Sequence, residues 1–278
     1  MEYAQACARP GLLEVNAPLI EEQAEHRGLV DRVGAQRATE RAFRAAAALV
    51  AVSNEVAQYL EGFPAARGKV QVVPNGVSPE RFPPDLRPSL PAAPGTFTVG
   101  FTGSMKPWHG LGVLLEAFAR LHASHPESRL LLVGDGAGRE PLAAEASSLG
   151  LGASVQFTGA VAPADVPGLL ASMDVGVAPY PRMAKFYFSP LKVYEYMAAA
   201  RPVVASRAGQ LENLIEPEVT GLLVPPGDAA ALAAGLERIR SEPGLGLRLG
   251  KAARAEVLQH HTWEGAVRRI LEVAQLKL

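Results

Sequence analysis

The chain has 278 residues and a net charge of −1 from 27 basic and 28 acidic side chains, so no global basic field is present to draw in a nucleic acid. Hydrophobic residues at 48% and charged residues at 20% describe a folded protein with apolar side chains enough for one large or two ordinary domains. A single cysteine, Cys7, excludes an internal disulfide, no apolar run approaches the ~18 residues of a membrane span, and Met1-Glu2-Tyr3-Ala4-Gln5 has no basic stretch before an apolar one; a reducing, cytoplasmic location is expected.

Residues 1–73 read as about half of a doubly wound α/β domain, with a strand at 11–15, a helix at 35–47, a strand at 49–52, a helix at 53–61 and a strand at 70–73. A sheet of that size exposes an unpaired edge, which a partner chain or the second copy of a homodimer is expected to cover. A gene fragment, one half of a split enzyme and an engineered piece remain alternatives for such a chain. Arg37, Arg41 and Arg44 share one helix face; a solvated face accounts for them, with peripheral contact to anionic lipid as the alternative. Six prolines (Pro79, Pro83, Pro84, Pro88, Pro91 and Pro94) fall within sixteen residues and mark 74–96 as a stiff linker.

Over 97–261 short apolar runs at 97–102, 129–133, 154–158, 175–178, 202–205 and 222–224 alternate with helical stretches at 110–123, 139–149, 164–172, 190–199, 210–216 and 228–240. Nearly continuous apolar strands separated by helices form a parallel sheet covered on both faces. Right-handed crossovers make it doubly wound, with ligands outside the carboxyl ends of the strands. The last segment, 262–278, is an amphipathic helix beginning at Thr262-Trp263.

One stretch carries chemistry. Ser189-Pro190-Leu191-Lys192-Val193-Tyr194-Glu195 reads as a helix opened by a Ser cap and a Pro at the first helical position. Such an opening presents unpaired N–H groups and a partial positive charge, which suits a phosphate. Glu195 lies five residues in, roughly 7.5 Å along the axis, and its side chain leans back toward the helix start. A diphosphate on the helix end and a polyol on the carboxylate describe a nucleotide sugar. Glu195 could instead pair with Lys192, a surface contact of ~0.2–0.5 kcal/mol. Lys192 itself could neutralise a phosphate.

This stretch, together with Val73-Pro74-Asn75-Gly76-Val77, Val99-Gly100-Phe101-Thr102-Gly103-Ser104, Trp108-His109-Gly110, Leu131-Leu132-Val133-Gly134-Asp135-Gly136, Val155-Gln156-Phe157-Thr158-Gly159 and Gly221–Asp228, resembles family 4 of the retaining glycosyltransferases, of the GT-B fold. The likeness covers residues 70 to 265 in order and spacing. It implies a Rossmann-like donor-binding domain, a partial acceptor-side domain at 1–73 and a final helix that crosses back to it. It also implies transfer with retention from a nucleotide-diphosphate sugar to a saccharide, lipid or small-molecule acceptor, without a cofactor or metal. Donor-binding positions carried over are Gly103, Gly134, Gly136, Thr158, Ser189, Pro190, Leu191, Lys192 and Glu195. The family's usual catalytic histidine is not identifiable.

Two departures stand out. Where many members carry an Arg and a Lys on the diphosphate, this chain has Ser104 and His109; Lys106 could supply one charge, and His109 a hydrogen bond or, protonated, a charge. Where the family has the first Glu of a carboxylate pair, this chain has Tyr187, which can hydrogen-bond a sugar hydroxyl but brings no charge; a packed aromatic loop Phe186-Tyr187-Phe188 is the alternative. Gly134-Asp135-Gly136 opens like a dinucleotide fingerprint, but Arg139 stands where its last glycine belongs, which excludes NAD. His122, His125, His260 and His261 lack metal-ligand spacing and read as solvated surface residues. Other expectations consistent with the pattern are a non-catalytic nucleotide-sugar-binding subunit and a GT-B epimerase.

Overall fold

The computed structural model describes residues 1–26, 28–184 and 186–275. They fall into two compact units, Met1–Gly76 with Lys185–Ser189 and His261–Leu278, and Val77–Ala184 with Pro190–His260.

The first unit contains helix α1 (Glu2–Ala6), strand β1 (Leu12–Val15), helices α2 (Leu19–His26) and α3 (Arg32–Ala45), strand β2 (Ala48–Ala51), helix α4 (Asn54–Glu61) and strand β3 (Val70–Val72). Its sheet is parallel in the order β1-β2-β3, so β1 and β3 are the edges. Phe43, Leu49, Val56 and Leu60 form its core. The third helix begins three residues before the expected 35, because Asp31 caps it by accepting from the N–H of Gly34 at 2.8 Å. Its other end is closed by Lys69, whose ammonium donates to the carbonyls of Phe43, Arg44 and Ala46 at 3.1, 2.9 and 2.9 Å. A cation there satisfies orphan carbonyls and complements the helix dipole. Arg37, Arg41 and Arg44 are all exposed, with Arg44 paired to Glu40. The short helices α1 and α2 were not expected; neither carries an apolar repeat long enough to announce itself.

The second unit holds β4 (Thr98–Thr102), α5 (Leu111–Ser124), β5 (Arg129–Val133), α6 (Arg139–Ser148), β6 (Val155–Phe157), α7 (Val166–Ala171), β7 (Val175–Ala178), α8 (Leu191–Ala198), β8 (Val203–Ser206), α9 (Leu211–Leu214), β9 (Leu222–Val224), α10 (Ala229–Ser241) and α11 (Leu245–His260). All six strands are parallel, in the order β6-β5-β4-β7-β8-β9. The chain therefore winds outward from β4 in one direction and from β7 in the other. The carboxyl ends of these two neighbours form the switch point where such sheets bind ligands. Five of the strands are buried along their whole length or all but one residue, as a sheet covered on both faces requires. No helix among the described residues is long and apolar enough to cross a membrane.

Two elements differ from expectation. Helix α11 was missed, although Leu245, Leu249, Ala253 and Val257 recur at four-residue spacing and are buried; Gly246 and Gly250 inside it obscure the pattern, and Gly250 is there because a Cβ would collide with the carbonyl of Ala200. The proline-rich stretch is not free. From Val77 onward it belongs to the second unit, with Phe82 fully buried. Ser89 N–H donates to Gly168 O at 2.9 Å, Leu90 N–H to Ser172 Oγ at 2.9 Å, and Arg129 Nη2 to Leu90 O at 3.0 Å. Prolines lack donors, so the few remaining N–H groups of the stretch are the ones that anchor it.

The last helix, α12 (Trp263–Val273), starts at Thr262, which accepts from Gly265 N–H at 3.1 Å. It belongs to the first unit, where Ala266 packs with Val50 and Val73.

Within the second unit α8 is fixed to the switch point by Tyr196. Thr102 N–H at the end of β4 donates to the Tyr196 hydroxyl at 2.7 Å, and the ring lies over Gly176 of β7, where a Cβ would stand 2.6 Å from it. Gly176→Ala is therefore expected to destabilise the protein by about 1–3 kcal/mol in urea unfolding. Gly112→Ala, on an exposed helical position with nothing within 4 Å of the new methyl, is expected to stabilise it by about 0.5–1 kcal/mol. Equal effects at the two positions would contradict this packing.

Candidate functional site

Helix α8 opens in front of the switch point, and its start differs in detail from the expected cap. Pro190, not Ser189, occupies the cap position, with φ −84° and ψ 62°. Its carbonyl accepts from Val193 N–H at 2.8 Å, and a proline cap has no side-chain acceptor to offer. Ser189 Oγ is buried without a partner among the described residues. The N–H groups of Leu191 and Lys192 accordingly take no acceptor among the described residues. The open helix end that the sequence implied is present, with no side chain closing it.

Lys192 is the centre of the site. Its side chain is buried, and its ammonium finds no hydrogen-bond acceptor among the described residues. It lies 4.1 Å from the ring centre of Phe101 and 5.4 Å from that of Tyr180, cation–π contacts that offset only part of the lost hydration. Burial pushes its pKa down to about 7. Beside it Gly103 adopts φ +142°, and a Cβ there would stand 3.3 Å from Nζ. A glycine keeps the space beside the ammonium open.

The loop after β4 is shaped by its neighbours. Gly110 is left-handed, and any Cβ would strike the carbonyl of Pro179 after β7, so the two switch-point loops meet there. A Cβ on Gly134 would stand 2.2 Å from the carbonyl oxygen of Gly103, and one on Gly136 2.9 Å from the backbone nitrogen of Met105. Met105 N–H donates to Asp135 O at 2.9 Å, and Gly138 N–H to Met105 O at 3.0 Å. Thr158, the residue after β6, supports this nest by accepting from Gly134 N–H at 3.3 Å. Gly134, Gly136 and Thr158 thus stand behind the loop that carries Gly103.

His109 lies in the same loop, its ring 6.0 Å from that of Tyr180 and 5.7 Å from that of Phe101. Burial and then the charge of Lys192 push its pKa down to about 4. Its Nδ1–H donates to the carbonyl of Ser104, which leaves Nε2 as an acceptor in the neutral ring. The sequence left open a protonated His109; this environment keeps it neutral. Lys106 is exposed, its ammonium 5.6 Å from the centre of the Trp108 ring. Ser104 is exposed as well.

Glu195 sits one turn along α8, mostly buried, with burial raising its pKa and Arg81 opposing the rise. Arg81 Nη1 donates to Glu195 Oε1 at 2.9 Å. The pairing with Lys192 weighed from spacing is not made. Arg81 was not foreseen at all; it lies 114 residues away in the proline-rich stretch, and no local pattern links the two. Tyr187 and Ser189 belong to the first unit, where Tyr187 packs against the core around Phe43 and Val56. His122 and His125 are not solvated: His122 contacts Ser128 Oγ at 3.1 Å and stacks on Phe118, and His125 pairs with Glu237 at 2.7 Å.

Comparison with known proteins bears on the family and the fold. Residues 96–242 match the model of the glycosyl transferases group 1, and residues 24–81 that of glycosyltransferase family 4. A phosphatidyl-myo-inositol mannosyltransferase of Mycobacterium leprae is 32% identical over 203 residues, 72% of this chain and 52% of that protein. A D-inositol 3-phosphate glycosyltransferase of Saccharomonospora viridis is 30% identical over 232 residues, 79% of this chain and 53% of that protein. The chain spans about half the length of the curated relatives it matches. Among solved structures, Anabaena Alr3699/HepE in complex with UDP and glucose superposes with a TM-score of 0.78 at 23% identity, covering 98% of this chain and 73% of that one, a likeness of fold. With parallel α/β units, the fold of GT-B glycosyltransferases and a family model matched over more than half its length, the chain belongs to the group 1, family 4 glycosyltransferases.

Proposed function

We propose that the second unit binds a nucleotide-diphosphate sugar at the switch point, and that the protein transfers the sugar with retention to a saccharide, lipid or small-molecule acceptor. The observation that carries this reading is the buried, unpartnered ammonium of Lys192 beside an uncapped helix start. A buried charge without a counter-charge costs several kcal/mol. A diphosphate would supply the counter-charge and accept from the free N–H groups of Leu191 and Lys192. The family membership and the UDP and glucose bound by Alr3699/HepE support the same ligand class.

The chemistry follows from charge. Breaking the sugar–phosphate bond leaves negative charge on the departing diphosphate, and Lys192 and the helix end stabilise it without reorganising. Gaining that anion makes Lys192 a full cation, so its stabilisation grows as the bond breaks. His109, neutral and held by Ser104, contributes an acceptor at Nε2 that suits a sugar hydroxyl. Glu195, one turn farther along the helix, suits the ribose hydroxyls. Retention requires the acceptor to be held on the face the diphosphate leaves. No metal enters this scheme, since fixed positive charge already faces the phosphates.

A second reading, a nucleotide-sugar-binding subunit without transfer, is favoured by Tyr187. The family's carboxylate at that position is replaced by a phenol packed into the first unit's core. Release of nucleoside diphosphate from a panel of nucleotide sugars, with and without saccharide and lipid acceptors, separates the two; binding without acceptor-dependent release favours the subunit.

UDP, GDP or ADP, tested in chelator, is expected to stabilise the chain by ~2.7 kcal/mol at one hundred times its dissociation constant. A thermal shift with none of the three contradicts the donor site. Lys192→Met is expected to weaken both nucleoside diphosphate and inorganic pyrophosphate roughly 10–150-fold in calorimetry. The same variant tests the burial of the charge. The lysine's folded pKa of about 7 lies below its ordinary 10.5, so the unfolded chain binds more protons between these values and wild-type stability rises with pH across that window. Without ligand, Lys192→Met is therefore expected to be the more stable protein by a few kcal/mol near pH 6, the gap closing as pH approaches 10.5. A variant less stable than wild type at every pH would make Lys192 structural.

A further inference from the structure

Arg81 ends the short 3-10 turn Pro79–Arg81, whose next residue, Phe82, is fully buried. Arg81 N–H donates to Ser78 O at 3.1 Å and Phe82 N–H to Pro79 O at 2.9 Å, so the backbone under the side chain is fixed. The guanidinium is fixed as well. Nη1 donates to Glu195 Oε1 at 2.9 Å, Nη2 donates to Pro163 O at 2.8 Å, and the group lies 5.3 Å from the centre of the Phe82 ring. With side chains 35% and 22% exposed, this is not a free surface pair.

The way the fork is divided matters. Because Nη2 is spent on Pro163, Arg81 binds Glu195 through one oxygen only, and Oε2 takes no hydrogen bond among the described residues. Burial raises the pKa of Glu195 and Arg81 opposes the rise; a protonated carboxyl would offer a donor where a sugar diol needs an acceptor. An ionised carboxylate is acceptor-only, the complement of two vicinal hydroxyls that both donate.

We propose that Arg81 is the positioning residue for Glu195, holding one carboxylate oxygen as its counter-charge so that the other receives the ribose hydroxyls of the donor nucleotide. This rests on the donor-site reading above. It also gives the proline-rich stretch a function, since that stretch brings Arg81 to α8.

Calorimetry on the full chain with UDP, GDP, ADP and inorganic pyrophosphate tests it in Arg81→Gln, Arg81→Lys, Glu195→Gln and the Arg81→Gln/Glu195→Gln pair. Arg81→Gln is expected to weaken the nucleoside diphosphate about tenfold, the size of one charged hydrogen bond, while pyrophosphate affinity stays unchanged. Arg81→Lys should recover part of the loss, and the pair should bind no more weakly than Glu195→Gln alone. Wild-type nucleotide affinity in Arg81→Gln, additive losses in the pair, or an equal loss of pyrophosphate overturns the proposal. A second readout needs no nucleotide: carbon-13 NMR of the Glu195 carboxyl should show its titration moving to higher pH in Arg81→Gln. An unmoved titration overturns the part assigned to Arg81 alone. A wild-type chain that binds none of the nucleotides overturns the donor-site reading, and the ribose role with it.

Discussion

An ammonium group buried away from water without an anion to meet it is among the least favourable things a folded chain can hold. Lys192 is such a group. Its rings, Phe101 and Tyr180, return only part of the hydration energy. Much around it is consistent with keeping the place free for an anion: the glycine at 103, the glycines at 134 and 136 that let the neighbouring loop come close, and the helix start without a capping side chain. His109 stays neutral first because it is buried and then because a second cation beside Lys192 is disfavoured. Two further contacts of the second unit hold the elements that carry these groups together. Tyr196 fixes α8 to β4, and Gly110 lets the loops after β4 and β7 meet.

Much of this architecture was legible from periodicity. The strands of the second unit are short, apolar and flanked by helices, and their expected limits lie within two residues of those observed. What escaped notice had physical causes. Helix α11 repeats its buried residues every fourth position, but glycines within it weaken the helical signal. Prolines in 79–94 read as a spacer because their rigidity is visible in a sequence, whereas the acceptors that bind Ser89 and Leu90 lie far away in it.

The site was legible to the same depth. A helix opening and a carboxylate one turn inside it are local facts, and both are present. The identity of the cap shifted by one residue, from Ser189 to Pro190, a distinction set by backbone angles rather than residue types. The partner of Glu195 was not readable, because a contact across 114 residues leaves no trace in spacing. Nor was the charge state of His109, which depends on burial and on Lys192. Tyr187 shows the opposite case: the packed-loop alternative describes where its ring lies in the first unit.

The central claim is that Lys192 is a charge awaiting a diphosphate. The most direct measurement is the titration of its own ammonium by nitrogen-15 NMR, assigned with Lys192→Met, in the free chain and with inorganic pyrophosphate or UDP. The account predicts a midpoint near 7 in the free chain, rising by at least about one unit on adding the ligand, since a tenfold preference for the charged form is worth ~1.4 kcal/mol. A midpoint near the ordinary 10.5 in the free chain, or one that neither ligand moves, would contradict it.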